Sequence, residues 1–121
     1  MKRTLLKSKL HRVRITDCSV NYVGSIGIDE ALMEAADIIP YEKVLVADIN
    51  NGNRLETYAI PTPRGSGKIT ILGAAGRLVE EDDLVIIMSF ASYSSDEFSN
   101  HSPKVIFVDD DNNQVPKNPN P

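Results

Sequence analysis

Two β-favouring runs, Lys43–Ile49 and Arg54–Ile60, stand either side of Asn50-Asn51-Gly52-Asn53. An Asn-Gly pair between such runs supplies the positive φ angles of a tight turn, so these residues predict an antiparallel hairpin. Other short runs follow the same habit. Lys7–Ile15 alternates, Lys68–Leu72 and Leu84–Phe90 are rich in Ile, Val and Leu, and Lys104–Val108 ends the series. Helix is scarce by comparison. Asp29 caps a short one reaching Ala36, with Leu32, Ala35 and Ala36 on its apolar side and Pro40 ending it; a helical turn falls near Ser95 to Asn100. So many short strands with so little helix in 121 residues predict a mainly β chain folded as a small barrel.

Length argues for a single domain over residues 1–121, with one core but little room to enclose a substrate unaided, which directs attention to sites between subunits. No apolar run reaches membrane-spanning length, and Met1-Lys2-Arg3-Thr4-Leu5-Leu6-Lys7 is too charged for a signal peptide, so no membrane and a cytoplasmic location are expected. Cys18 stands alone, which excludes an internal disulfide. With only His11 and His101 beside it, no metal cluster is expected. Residues 1–24 carry six Lys or Arg against Asp17 alone, although the whole chain has a formal charge of −4. Without interleaved aromatics this basic arm does not predict nucleic-acid binding and better fits a patch that receives a small anion. Beyond Asp109, acids, asparagines and prolines predict a flexible tail over residues 110–121.

Strand alternation over Lys7–Ile15 places Lys9, His11, Val13 and Ile15 on one face and Leu10, Arg12 and Arg14 on the other. Lys9 and His11 then share a face with two β-branched residues, either lining a polar site or snorkelling to water. Gly24-Ser25 offers a different chemistry. A serine hydroxyl beside a glycine carbonyl can attack it and convert the amide to an ester, and glycine tolerates strained dihedrals while leaving its carbonyl open. Elimination and hydrolysis would leave a ketone-bearing pyruvoyl group at residue 25. Gly65-Ser66-Gly67-Lys68 is a decoy for a phosphate loop, because Thr62 and Ile69 occupy positions where that motif needs Gly and Ser or Thr. A hairpin turn is the better reading.

Taken together, Lys9-Leu10-His11-Arg12, Tyr22-Val23-Gly24-Ser25-Ile26, Asn51-Gly52, Arg54 to Thr57-Tyr58, Arg64-Gly65-Ser66 and Gly73-Ala74-Ala75 closely resemble the pyruvoyl-dependent aspartate 1-decarboxylases. The match runs in register from Lys2 to about Asp109. It implies a small double-ψ β-barrel with short helices, assembled as a homotetramer with sites between neighbours. It implies self-cleavage into residues 1–24 and 25–121, a pyruvoyl group made from Ser25, and no pyridoxal phosphate. L-Aspartate would form a Schiff base with the ketone and lose carbon dioxide to give β-alanine, for pantothenate and coenzyme A synthesis.

The resemblance assigns Gly24 as the cleaved carbonyl, Ser25 as pyruvoyl precursor and Tyr58 as proton donor, with Thr57, Gly73, Ala74, Ala75, Arg54 and Lys9 at the substrate. His11, Tyr22 and Leu72 are supporting candidates. Arg54 suits a carboxylate because its guanidinium makes two parallel hydrogen bonds, although a cross-strand surface role is open to it as well. Tyr58 is a credible acid or a core aromatic. Thr57, a strand residue by type, is also a candidate donor to the oxyanion formed when Ser25 attacks. Adjacent strand residues face opposite ways, so Thr57 and Tyr58 serve one site only if the strand is irregular or the site is shared across an interface. Gly73-Ala74-Ala75 would act through backbone groups that small residues let a ligand approach. Leu72 departs from the family, which usually has asparagine there. This leaves a poorly processed barrel acting as a binding protein as one alternative, and a pyruvoyl decarboxylase of another acidic amino acid as a second. A maturation factor is a further candidate partner. Cys18 reads as inert packing.

Overall fold

The computed structural model describes residues 1–19, 24–73 and 77–119. Nine strands and two short helices occur among them: β1 (Lys2–Arg14), β2 (Asp17–Ser19), β3 (Ser25–Asp29), α1 (Glu30–Ala35), β4 (Lys43–Asp48), β5 (Arg54–Thr62), β6 (Ile69–Leu72), β7 (Leu84–Ser94), α2 (Ser95–Phe98), β8 (Lys104–Val108) and β9 (Gln114–Val115). The strands pair in the order β2-β6-β3-β5-β4-β7-β1-β8-β9. β1 and β2 are one path of chain interrupted only by Ile15 and Thr16, yet they stand towards opposite ends of that order. Ile15 N donates to Asp83 O at 2.9 Å and Thr16 N to Ile69 O at 2.8 Å. The path therefore crosses from the β7 side to the β6 side, and the sheet bends round on itself as a small, mainly β barrel.

The hairpin forms as the Asn-Gly pair predicts. β4 and β5 pair antiparallel from Lys43 opposite Tyr58 to Ala47 opposite Arg54, with Gly52 at φ 78°. Alternation along β4 buries Val44, Val46 and Asp48, and the barrel interior also takes Ile26, Ile28, Ile69, Ile71, Val85 and Ile87. β5 changes partner midway, from antiparallel β4 to parallel β3 at Ala59.

One expected face is corrected. The register of β1 against β7 slips between Leu10 and Val13, and Arg12 adopts φ 59°. This bulge inverts the phase: Ser8 and Leu10 are buried before it, Val13 and Ile15 after it. Lys9 and His11 consequently lie on the face opposite Leu10 and do not share one with Val13 and Ile15.

The chain beyond Asp109 also differs from the expected tail in its first half. β9 pairs with β8, and Asn112 is 2% exposed. The Asn112 amide donates to the carbonyls of Arg14 and Gly67, both at 2.8 Å, and its oxygen accepts from Arg14 N at 2.8 Å. Three well-placed bonds offset the entropy that composition alone would leave unopposed. No helix among the described residues is long and apolar enough to cross a membrane.

Candidate active site

β3 is buried along its whole length and lies between β6 and β5. Ser25 opens it and is 2% exposed. Its Cα partner on antiparallel β6 is Leu72, which makes the Leu72 side chain its direct cross-strand neighbour. On the other flank Ile26 stands opposite Ala59. One step upstream on both of these parallel strands come Ser25 and Tyr58. Strand order thus gathers Gly24, Ser25, Leu72, Gly73 and Tyr58, residues up to 49 positions apart in the chain, at one edge of the barrel.

Gly24 is half-buried. A Cβ placed there would stand 3.6 Å from the Leu72 carbonyl oxygen, an ordinary contact. Gly73 is different. Its φ of 75° is a conformation that glycine adopts without penalty, so backbone geometry accounts for the residue type.

Thr57 and Tyr58 are both half-buried and alternate regularly along β5, so they face opposite ways. Tyr58 lies beside Tyr41, with ring centroids 6.2 Å apart. Arg54 is exposed at the start of the strand, four residues from Tyr58 and on the same face, about 13 Å along it.

Lys9 and His11 do not join this group within one chain. A lateral row runs from Lys9 to Met88, Leu45 and Glu56, so three strand spacings, about 14 Å, separate Lys9 from β5. His11 packs its ring edge-on against Phe107 at 5.7 Å, and its Nδ1 is buried without a partner among the described residues. Burial first, then the charges of Lys9 and Arg12, pull the imidazole below its ordinary pKa. It borders a cavity of about 220 Å³ with Arg12, Arg14, Asp109 and Asn118, whose lining includes neither Ser25 nor Tyr58. Tyr22, Ala74 and Ala75 lie outside the described residues.

Cys18 is half-buried, 3.7 Å from the Val79 carbonyl oxygen. Burial and the carboxylates of Glu81, Asp17, Asp83 and Glu80 push its thiol pKa up, which disfavours the reactive thiolate. Among the described residues no three His, Cys, Asp or Glu side chains converge as a metal site.

One feature escaped sequence reasoning. Asp48 and Asp83, from β4 and the turn before β7, stand together beneath the Asn-Gly turn that leads into Arg54. The only sequence hint was an acid in the strand phase of Val44 and Val46.

Known proteins give the same reading of the chain. The aspartate decarboxylase family model matches residues 1–115. An aspartate 1-decarboxylase of Thermosipho melanesiensis is 54% identical over 115 residues, covering 95% of each chain. One of Thermoanaerobacter pseudethanolicus is 55% identical over 95% of this chain and 98% of its own. A third, of Staphylococcus aureus strain JH9, is 53% identical over 93% of this chain and 88% of its own. With a β-barrel that brings Gly24, Ser25 and Tyr58 together and relatives matched over nearly its whole length, the chain belongs to the aspartate decarboxylase family.

Proposed function

We propose that the chain is a self-processing aspartate 1-decarboxylase that breaks its own Gly24-Ser25 bond and carries a pyruvoyl group at residue 25. The observation that carries this reading is the meeting of a buried Ser25 with the Gly24 carbonyl on one side and Tyr58, one register step away, on the other. A hydroxyl held out of water next to the amide it attacks has the proximity that makes an intramolecular acyl shift competitive. Ser25 Oγ bonds to the Gly24 carbonyl carbon as the C–N bond breaks. Elimination from the resulting ester releases residues 1–24 with a carboxylate at Gly24, and water then replaces the nitrogen of residue 25 as ammonia.

The residues around Ser25 fit such a group: the position is small and dry. Once formed, it supplies a ketone that captures the substrate amine and draws off the electrons freed with carbon dioxide. Arg54 holds a substrate carboxylate by two parallel hydrogen bonds, and Lys9 adds a point charge. Tyr58 delivers a proton to the substrate carbon that lost its carboxylate. Gly73, Ala74 and Ala75 offer backbone groups without side chains in the way. Thr57 completes the pocket from the opposite face of β5. Because Thr57 faces away from Tyr58 and Lys9 lies three strands from β5, the complete site needs a neighbouring subunit, in keeping with a homotetramer. L-Aspartate is the substrate, and the β-alanine released serves pantothenate synthesis.

The deciding experiment is the intact mass of purified protein under denaturing conditions, followed by an assay for β-alanine. Fragments of residues 1–24 and 25–121, the larger carrying pyruvoyl in place of serine, are expected. Ser25→Ala is expected to stay as one uncut chain that forms no β-alanine. Turnover by that variant would sink the mechanism, and faster turnover of glutamate than of aspartate would reassign the substrate.

A further inference from the structure

Asp48 ends β4 with 2% of its surface exposed. Its Oδ1 accepts from Asn50 N at 2.8 Å and Asn51 N at 3.3 Å, which shapes the turn. Its Oδ2 is buried and meets no donor among the described residues. What stands within hydrogen-bonding reach is the side chain of Asp83, whose Oδ2 already accepts from Glu80 N at 3.0 Å. Two ionised carboxylates are acceptors only, so this contact is repulsive unless a proton lies in it.

We propose that Asp48 and Asp83 share one proton, donated from Asp48 Oδ2 to the Asp83 carboxylate, and that this acid pair positions Arg54 by fastening the turn before it to the segment beyond Gly73. The surrounding bonds explain how the effect reaches Arg54. Ile49 N donates to Leu84 O and Leu84 N to Asn50 Oδ1, both at 2.9 Å. The amides of Asn51 and Asn53 both reach Leu78 O, at 3.0 and 2.8 Å. Residues 48–53 and 78–84 thus form one joint with the acid pair inside it. Arg54 leaves one end of the joint directly, and Arg77 precedes the other.

Burial, reinforced by the bond and the charge from Asp83, pushes the Asp48 carboxyl above the ordinary carboxylate range; the N–H groups of Asn50 and Asn51 pull the other way without prevailing. Charged side chains lie on every neighbouring element: Arg54 on β5, Arg14 at the end of β1, and Arg77, Glu80, Glu81 and Asp82 ahead of β7. Arg14 Nη1 is engaged by Asp82 O at 3.0 Å. Among these charges, that of Asp83 acts most strongly on Asp48.

The linkage has a definite sign. A carboxyl whose folded pKa is raised binds its proton more tightly folded than unfolded, so the pair stabilises below the ordinary value of about 3.9 and that stability is lost as pH rises through the raised value. Asp48→Asn keeps an oxygen for Asn50 and Asn51 and replaces the shared proton with a permanent N–H donor. At neutral pH it is expected to melt about 5 °C above the parent and to flatten the decline with pH. Asp48→Ala, which loses the turn acceptor too, is expected to melt lower throughout. If Asp48→Asn melts lower than the parent at neutral pH, or keeps the same pH dependence, the shared proton is refuted. So it is if magnesium or calcium chloride raises the melting point of the parent alone, since a cation would then sit between the carboxylates.

The positioning role rests on Arg54 as the carboxylate anchor and has its own readout. KM for aspartate of the processed parent is expected to rise several-fold with pH relative to Asp48→Asn, at similar kcat. Equal KM profiles would refute positioning. A protein with no aspartate turnover would refute the decarboxylase reading instead, and the melting profiles would still decide the proton.

Discussion

Ser25 and Leu72 face each other across an antiparallel pair, with Cβ atoms expected about 5 Å apart, and their chemistries do not match. A serine hydroxyl about to attack needs a partner that orients it, and an isobutyl group offers none. The Leu72 side chain cannot hydrogen-bond to Ser25 Oγ or to the oxyanion that the proposed attack would form on Gly24. An amide at the same position could do either. Leu72→Asn is therefore expected to speed cleavage of the 24–25 bond by about tenfold, the scale set by one added hydrogen bond to a developing charge. The time course of uncut chain, followed by mass after purification, measures it. An unchanged rate would mean that backbone geometry at Gly24, not side-chain orientation, limits the acyl shift. Cys18 gives no such lever, because burial and four carboxylates push its thiol pKa up and disfavour the thiolate.

Among the elements, the junction of β3 with α1 depends on one carboxylate. Asp29 Oδ1 accepts from Ala31 N at 2.9 Å as the helix cap and from Gly65 N at 3.0 Å, while Oδ2 accepts from Gly67 N at 2.9 Å. Burial works against its ionisation, yet those three N–H groups, with Arg64 nearby, hold its pKa below the ordinary value. A lowered folded pKa gives stability that is complete above the unfolded value and lost as pH falls through the folded one. Asp29→Asn puts an N–H against that of Gly67 and is expected to lower stability by about 2 kcal/mol at neutral pH and to make its acid-side decline shallower. Urea midpoints across acid pH test both. The cap was legible from sequence because it is local, as were the hairpin from Asn51-Gly52 and the strands Leu84–Phe90 and Lys104–Val108. The bulge at Arg12 was not, since a two-residue period carries no mark of a phase slip until the partner strand is seen. β9 and Asn112 were missed because composition cannot anticipate three bonds to Arg14 and Gly67. Within the site, the residue types at Gly24, Ser25 and Tyr58 were readable, but their adjacency is a product of strand order.

For the molecule as a whole, three strand spacings along the barrel wall separate the basic arm from the strand carrying Tyr58. Lys9 lies on the face opposite buried Leu10, so its side chain cannot reach through the core, and around the wall it is about 14 Å from β5. A lysine side chain covers less than half of that. If one substrate meets both residues, Lys9 comes from one subunit and Tyr58 from another. Exposed Phe90 borders a groove with Thr4, Lys43, Leu45 and Glu56 on the outer surface of the barrel, which offers both apolar and charged groups to a second copy. The arrangement can be tested by mixing. Lys9→Ala and Tyr58→Phe chains both keep Ser25 and are expected to be cleaved, yet each alone is expected to have little activity. Co-expressed, they form mixed oligomers in which some sites combine an intact Lys9 with an intact Tyr58. Random pairing of two chains makes that roughly a quarter of the sites, so activity is expected to return to about that fraction of the parent's. Sites built within single chains would leave the mixture as inactive as its components, because no chain in it carries both residues.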